Sequence, residues 1–300
     1  MTPSSMLSET APAKINLYLH IGPLRADGLH DLESLFVFAR DGDVVSAEPS
    51  ENLTLTVNGD FAGALSGLSS EDNLIIRAAR ALRDHAGVSA GAALHLEKNL
   101  PVAAGIGGGS ADAAAALRVL CRLWDIDIDP RTLAELAFPL GADIPACIEG
   151  APVRVSGAGE VMSAAPRLPA LHVCIVNPLI DMPTGPVFRA FDAANPAPST
   201  PELYHGPTDT IDDVRTLLNE TRNDLQPPAL KLAPVIGDVL AFLDKQPGVL
   251  GARMSGSGAS CFCLLESATH ATAVRKSAVG QGWWAVASPL RQSALESAHD

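Results

Sequence analysis

The sequence is short of positive charge. Its 300 residues carry 21 lysines and arginines against 34 aspartates and glutamates, which leaves a formal net charge of −13. Proteins that bind nucleic acids usually carry a basic patch, so this balance argues against a nucleic-acid partner. An anionic ligand would have to be attracted locally, by backbone amides and a few well-placed cations.

Long apolar runs and a leader segment are also missing. No uncharged apolar run reaches the roughly 18 residues that a membrane span requires. The opening stretch, MTPSSMLSETAPAK, has no cationic segment followed by an apolar core, so no signal peptide is expected. The cysteines are odd in number and stand in apolar surroundings: Cys121, Cys147, Cys174, Cys261 and Cys263. These features predict buried thiols in a cytoplasmic globular protein, and they leave monomer and homodimer open.

The composition suits a folded chain of two domains. An apolar fraction of 47% excludes a largely disordered protein, and 300 residues are enough for two cores. The composition changes near residues 164–169, which predicts one domain over residues 1–164 and a second over residues 165–300.

Periodicity and turn residues predict an α+β fold in both halves. In the first half we expect strands at 14–21, 32–39, 44–47, 53–57 and 92–97, and helices at 72–85 and 130–138. In the second half we expect strands at 171–176, 249–254, 260–265 and 283–287, and helices at 212–219, 229–243 and 268–279. Residues 195–207 are expected to form a long surface loop. The order of the last elements suggests a ferredoxin-like, split β-α-β layer.

The stretch PVAAGIGGGSADAAAAL, residues 101–117, places consecutive glycines directly before an alanine-rich helix. It is not a Walker A loop, because the chain contains no Gly-Lys pair. It is not the dinucleotide fingerprint either, since the sixth position from Gly105 is Ser110. Glycines nevertheless let backbone amides approach an anion, and a helix N-terminus adds free donors. We therefore expect a phosphate-binding loop with Ser110 as the N-cap, against a plain strand-to-helix connection that binds nothing.

Three further features could carry chemistry, and each has an ordinary alternative. Asp143, in GADIP, is either a catalytic carboxylate or a turn-former and helix cap. Lys14 lies on an otherwise apolar strand. Its side chain either has a function on the buried face of that strand or is an ordinary lysine on an exposed face. SGSGAS, residues 255–260, is either a hairpin turn or a second wall of a phosphate site.

Together these stretches resemble the GHMP kinase superfamily. The resemblance is colinear from about residue 11 to 290 and rests on an N-terminal strand segment, a glycine loop before a helix and a late glycine-rich loop. PAKINL, DGLH and GADIP resemble the branch that phosphorylates the 2-hydroxyl of 4-diphosphocytidyl-2-C-methyl-D-erythritol in the non-mevalonate isoprenoid pathway. The implied fold is an N-terminal domain of the ribosomal-protein-S5-domain-2-like type followed by a ferredoxin-like C-terminal domain.

The resemblance implies a mechanism that uses ATP and magnesium. Asp143 matches the base that accepts the hydroxyl proton, and Lys14 matches the lysine that steadies the hydroxyl and the developing charge. Ser110 would help to carry magnesium. The residues matching the ATP loop are Pro101, Val102, Ala103, Ala104, Gly105, Ile106, Gly107, Gly108, Gly109, Ser110 and Ala111. The late glycine loop comprises Ser255, Gly256, Ser257 and Gly258.

On the acceptor side, the resemblance implies contacts from Asn16, Leu29, His30, Phe36 and Phe188. His30 would read the cytosine edge and Phe188 would stack on the base. Leu29 departs from the family, which usually has tyrosine there, and it forfeits stacking worth about 1 kcal/mol.

Two alternatives remain at this point. Another small-molecule GHMP kinase, of the mevalonate or homoserine type, would use the same loop for ATP. A catalytically silent nucleotide-binding protein would keep the fold but lose Lys14 or Asp143, and both are present.

Overall fold

The computed structural model describes residues 6–67, 69–194 and 201–293. These residues form the α+β architecture that the periodicity predicted. Part of the expected surface loop, residues 195–200, lies outside the described residues.

The first sheet is built around two long strands that pair with each other. Its order is β3-β4-β2-β5-β6, and β1 pairs with β2 in antiparallel register off that path. The strands are β1 (Leu7–Leu24), β2 (His30–Ser50), β3 (Leu53–Asn58), β4 (Gly91–Glu97), β5 (Val153–Gly157) and β6 (Val161–Ala164).

The expectation of separate strands at 32–39 and 44–47 was wrong, because β2 runs unbroken through both. Its pairing with β1 continues past the polar residues that suggested a break. Gly42 makes this continuity possible, since a Cβ there would overlap the carbonyl of Ala11 on the facing strand.

Helices cover one face of this sheet. They are α1 (Leu74–Ala86), α2 (Gly108–Leu123), α3 (Pro130–Ala137) and α4 (Ile144–Glu149). The alanines of α2 at 113–116 are completely buried, because their small side chains let the helix pack closely on the sheet and on its neighbours. Asp129 caps α3 by accepting from the Thr132 amide, and Pro130 opens the helix.

The second sheet is antiparallel, with the order β10-β7-β9-β8. Its strands are β7 (His172–Asn177), β8 (Val249–Met254), β9 (Cys261–Leu265) and β10 (Trp284–Pro289). The accompanying helices are α5 (Thr184–Ala193), α6 (Ile211–Glu220), α7 (Gln226–Leu232), α8 (Val235–Leu243) and α9 (Ala268–Val279).

The single helix expected at 229–243 was wrong. The chain forms α7 and α8 instead, with Ala233 in a non-helical conformation (φ −142°) between them. Pro234 explains the break, because the residue before a proline is disfavoured in the α region.

Strand β1 joins the two halves. Its buried residues Ile15 and Leu17 share a core with Ile175 and Phe262 of the second sheet. Arg253 adds a polar tie, since its guanidinium donates to the Leu17 carbonyl at 2.6 Å and to the Thr221 carbonyl at 2.7 Å. Residues from both halves are therefore held against the same strand.

The cysteines are free thiols, and all but Cys121 are buried. No helix among the described residues is long and apolar enough to cross a membrane.

Candidate active site

The phosphate loop, residues 101–111, ends in a helix whose first residues are glycines. Gly107 caps α2 with a left-handed backbone (φ 64°), and the helix begins at Gly108. Ser110 lies inside the first turn and makes no side-chain cap bond, so its prediction as the N-cap was wrong. Glycine adopts this left-handed conformation at little cost. Because α2 begins at Gly108, the amides of residues 108–110 have no intrahelical partners. These donors form the positive end of α2.

The two glycine loops pack against each other. Ser255 Oγ donates to the Gly105 carbonyl at 3.0 Å, and the Ser260 amide donates to the Ala104 carbonyl at 3.1 Å. Gly105 has φ 73°, and a Cβ there would overlap the carbonyl oxygen of Ser255. The late glycine loop, residues 255–258, therefore buttresses the phosphate loop.

Lys14 and Asp143 form an ion pair beside these loops. Lys14 Nζ lies 3.0 Å from Asp143 Oδ2, and the lysine side chain is only 5% exposed. Asp143 occupies the cap position of α4, but its carboxylate makes no cap bond. The carboxylate thus faces the lysine and makes no side-chain cap bond to the helix.

Residues of β1 and of the paired strand β2 hold the Lys14 ammonium in place. Lys14 Nζ donates to Asn16 Oδ1 at 2.9 Å, and it lies 4.3 Å from the centre of the Phe36 ring. Asn16 Nδ2 in turn donates to Ser34 Oγ at 2.9 Å. A lysine fixed on several sides loses little further freedom when it binds a substrate.

These groups open onto one cavity of about 460 Å³. Among the predicted site residues, its walls include Lys14, Asn16, Phe36, Pro101, Val102, Ala103, Ala104, Gly105, Gly107, Gly108, Gly109, Ser110, Asp143, Phe188, Gly256 and Ser257. Ile106 and Ala111 are instead buried in the core beneath the loop. Beyond the loop the cavity reaches Leu65 and, at the start of α1, Asn73 and Leu74.

Leu29 and His30 are not among the residues that border this cavity. Leu29 is 52% exposed on the turn between β1 and β2. His30 Nδ1 lies 2.9 Å from the Gly22 carbonyl, to which it can only donate, and Nε2 lies 3.1 Å from Asp192 Oδ1. The His30 ring packs on Phe188, with the ring centres 5.6 Å apart.

Sequence reasoning missed a buried charged triad below the phosphate loop, formed by Asp43, Lys98 and Asp112. Lys98 Nζ lies 2.6 Å from Asp43 Oδ2 and 2.7 Å from Asp112 Oδ2. Burial raises the pKa of the Asp112 carboxyl to about 8, although the Lys98 ammonium opposes this shift. The available signal was an aspartate inside a run of alanines and a lysine just before the glycine loop.

Arg118 of α2 was missed as well. Its Nη1 donates to the Cys147 carbonyl near the end of α4 at 2.9 Å, and its Nη2 donates to the Thr10 carbonyl of β1 at 2.9 Å. One guanidinium thus connects the loop helix with the helix that Asp143 begins and the strand that carries Lys14.

Two family models match the chain. The model of the GHMP kinases N terminal domain matches residues 73–151, and the model of GHMP kinases C terminal matches residues 201–281. Together with the glycine loop and the fold, these matches define a GHMP kinase.

Curated relatives narrow the class. The chain is 48% identical to the 4-diphosphocytidyl-2-C-methyl-D-erythritol kinase of Hyphomonas neptunium, over 96% of this chain and 98% of that protein. It is 45% identical to the kinase of the same name from Paramagnetospirillum magneticum, over 93% of this chain and 97% of that protein. The chain belongs to the 4-diphosphocytidyl-2-C-methyl-D-erythritol kinase family.

Solved structures agree with this placement. A crystal structure of 4-(cytidine 5'-diphospho)-2C-methyl-D-erythritol kinase superposes with a TM-score of 0.74 at 30% identity, over 95% of this chain and 99% of that one. The homoserine kinase of Cytophaga hutchinsonii superposes with a TM-score of 0.71 at 18% identity, over 99% of this chain and 98% of that one. The second likeness shows a shared fold alone.

Proposed function

We propose that this chain transfers the γ-phosphoryl group of ATP to the 2-hydroxyl of 4-diphosphocytidyl-2-C-methyl-D-erythritol, giving the 2-phosphate and ADP in the non-mevalonate isoprenoid pathway. The observation that carries the proposal is the Lys14–Asp143 ion pair, which borders the same cavity as the free amides of the phosphate loop. A proton acceptor and an anion-binding loop are the parts that phosphoryl transfer to an alcohol requires.

Asp143 is the general base in this proposal. Its carboxylate is not engaged in capping α4 and is partly exposed to the cavity, so it can reach a hydroxyl group. The base accepts the hydroxyl proton as the new oxygen–phosphorus bond forms. Lys14 lies beside it and steadies the hydroxyl and the transferring phosphoryl group, because its ammonium attracts the negative charge on both.

The phosphate loop binds the triphosphate through its backbone. The amides of residues 108–110 and the positive end of α2 supply donors that are already oriented, so little reorganisation accompanies the reaction. Gly256 and Ser257 of the late glycine loop border the same space and complete its wall. The apolar end of the cavity, near Leu65 and Leu74, suits the adenine base.

The acceptor lies on the side of Asn16, Phe36 and Phe188 in this proposal. Asn16 is fixed by its bonds to Lys14 and Ser34 and offers a polar group beside the reacting hydroxyl. His30 donates through Nδ1 to the Gly22 carbonyl, and its Nε2 would meet the cytosine edge once the base displaces Asp192, whose Oδ1 lies 3.1 Å from Nε2. Phe188 packs against His30, and Leu29 would cover the base from the turn without stacking on it.

Magnesium belongs to this reaction because it neutralises charge on the β- and γ-phosphates when it is bound. The residues present offer oxygen atoms to a hard cation, since the Asp112 side chain borders the cavity. Ser110 also borders the cavity and offers its hydroxyl. The described residues contain no group of three or more His, Cys, Asp or Glu side chains placed to hold a metal, so phosphate and water oxygens would supply the remaining ligands.

The domain assignment is part of the same proposal. We assign residues 1–164 to a domain of the ribosomal-protein-S5-domain-2-like type and residues 165–300 to a ferredoxin-like one. The sheet order β10-β7-β9-β8, with paired strands antiparallel, supports the second assignment.

The negative charge and free thiols support a cytoplasmic enzyme whose partners are small molecules. A native mass measurement distinguishes monomer from homodimer.

A coupled ADP-release assay tests the function. Purified protein receives ATP and magnesium with 4-diphosphocytidyl-2-C-methyl-D-erythritol, mevalonate or homoserine in parallel, and phosphorus NMR locates the new phosphate. Turnover on the cytidyl compound alone, with the phosphate at the 2-position, is expected. Turnover on mevalonate or homoserine instead would show that the phosphate loop is assigned correctly and the acceptor pocket wrongly.

A further inference from the structure

A buried asparagine between α6 and α7 holds the late glycine loop from behind. Asn223 is only 4% exposed. Its Nδ2 donates to the Met254 carbonyl and to the Gly256 carbonyl, each at 2.8 Å, and its Oδ1 accepts the Leu225 amide at 2.9 Å. Both N–H groups of the side chain are therefore directed at the end of β8 and at the loop that follows it.

The backbone around Asn223 is anchored to strand β1. The Leu19 amide donates to the Arg222 carbonyl at 2.9 Å, and the Asp224 amide donates to the Leu19 carbonyl at 2.9 Å. These two bonds form a short parallel bridge that places Asn223 beside Leu19. Asn223 therefore connects the strand that carries Lys14 with the late glycine loop.

The bond to Gly256 acts at the contact between the two glycine loops. A Cβ on Gly256 would lie 2.8 Å from the carbonyl oxygen of Gly105, so Gly256 packs closely on the phosphate loop. Gly105 and Gly256 both border the cavity, whereas Asn223 is not among the residues that border it. A shift of the Gly256 carbonyl would therefore be felt in the phosphate loop, although Asn223 itself lies outside the cavity wall.

We propose that Asn223 is a positioning residue of the nucleotide site, which fixes the late glycine loop against the phosphate loop before a nucleotide binds. The inference rests on the proposed function, because it requires a nucleotide at the phosphate loop. Gly256 and Gly258 give the late glycine loop wide conformational freedom, so the loop needs bonds from outside to hold one shape. Without those bonds the nucleotide has to order the loop itself, which lowers its affinity.

The chain offers a matched pair of substitutions for this role. Asn223→Asp keeps the size of the side chain and an acceptor for the Leu225 amide, but it removes both N–H donors. Gln226→Glu adds the same charge at a residue whose Oε1 accepts the Met254 amide at 3.0 Å, a bond that a carboxylate also accepts. Asn223→Ala removes the donors without adding charge. The variants thus separate the loss of the two donors from the effect of a new carboxylate.

Calorimetry with ADP tests the inference without requiring turnover. The Kd for ADP is measured for the full-length wild type and the three variants, at a temperature where circular dichroism shows each one folded, and urea unfolding gives their stabilities. Both Asn223 variants should bind ADP about tenfold more weakly, the order of magnitude that two lost hydrogen bonds permit, while Gln226→Glu should bind it like the wild type. In steady-state kinetics the Asn223 variants should raise the KM for ATP more than they lower kcat, because the Lys14–Asp143 pair is untouched.

The outcomes separate the possible failures. Asn223 variants that lose stability but keep the wild-type Kd for ADP would show a purely structural role and overturn the inference. The expected loss of ADP affinity, in a protein that phosphorylates none of the acceptors offered, would support the inference and overturn the proposed function. A wild type that binds no ADP would overturn both.

Hydrogen exchange of the wild type decides if neither Asn223 variant folds. The amides of Ser255 and Gly258 donate within the late glycine loop and its hairpin, to the carbonyls of Ser260 and Ser255. Slow exchange of these amides without nucleotide would support a loop that is fixed in advance. Exchange at the unprotected rate until ADP is added would overturn the inference.

Discussion

Asp143 lies where a helix cap belongs and yet pairs with Lys14, whose Nζ is 3.0 Å from its Oδ2. The carboxylate comes from the start of α4 and the ammonium from the middle of β1, so the pair exists only when the helix layer is correctly docked on the first sheet. In the proposed mechanism, the geometry of the Lys14–Asp143 pair therefore depends on packing at some distance from the reacting atoms.

Arg118 is the residue that we expect to maintain this docking. Arg118→Lys should lower kcat about tenfold or more with little change in the KM for ATP, because an ammonium cannot bridge the carbonyls of Cys147 and Thr10 together and a small displacement of Asp143 is costly. Steady-state kinetics on both substrates measure the effect.

Arg122→Lys is the matched control, because both arginines lie on α2 and both pair with Glu9. Among its hydrogen bonds within the described residues, Arg122 donates to no α4 carbonyl. Equal kcat values for the Arg118 and Arg122 variants would contradict a positioning role for Arg118.

The contact between the two glycine loops should be sensitive to a single methyl group. Gly105→Ala should destabilise the protein by more than the ~1–2 kcal/mol that a left-handed alanine costs, because the methyl group would also overlap the Ser255 carbonyl. Gly28→Ala supplies the comparison, since Gly28 has φ 84° but a Cβ there would meet no atom of the described residues within 4 Å. Urea unfolding gives both free energies, and equal losses would mean that the loops are not packed against each other.

The turn carrying Leu29 offers a gain-of-affinity test. Leu29→Tyr should lower the KM for the cytidyl acceptor about fivefold, which corresponds to roughly 1 kcal/mol of aromatic stacking, and should leave kcat unchanged. Leu29 is 52% exposed, so the larger ring displaces no core packing. Initial rates at varied acceptor concentration provide the test, and an unchanged KM would place the cytosine away from this turn.

The sequence predicted the parts of the site that lie within short motifs. Lys14 and Asp143 stand in PAKINL and GADIP, and the structure brings them together. The position of the helix cap was wrong, because the spacing favoured Ser110 while the turn into α2 needs a left-handed residue, which Gly107 provides. The break before α8 was also missed, although Pro234 was the available signal.

The buried triad could not be predicted from local pattern. Asp43, Lys98 and Asp112 come from β2, the residue after β4, and α2. An aspartate among alanines and a lysine before the glycine loop are unusual locally, but neither shows that the three side chains meet. Only the docking of α2 on the sheet shows that the three side chains meet in a buried place.

The most direct test of the catalytic account is single-turnover phosphoryl transfer from ATP to 4-diphosphocytidyl-2-C-methyl-D-erythritol by Asp143→Asn. The amide keeps the size of the side chain but cannot accept the proton, so the rate should fall about 10²–10⁴-fold while the affinities for both substrates stay near those of the wild type. A rate within a few-fold of the wild type would show that Asp143 is not the base.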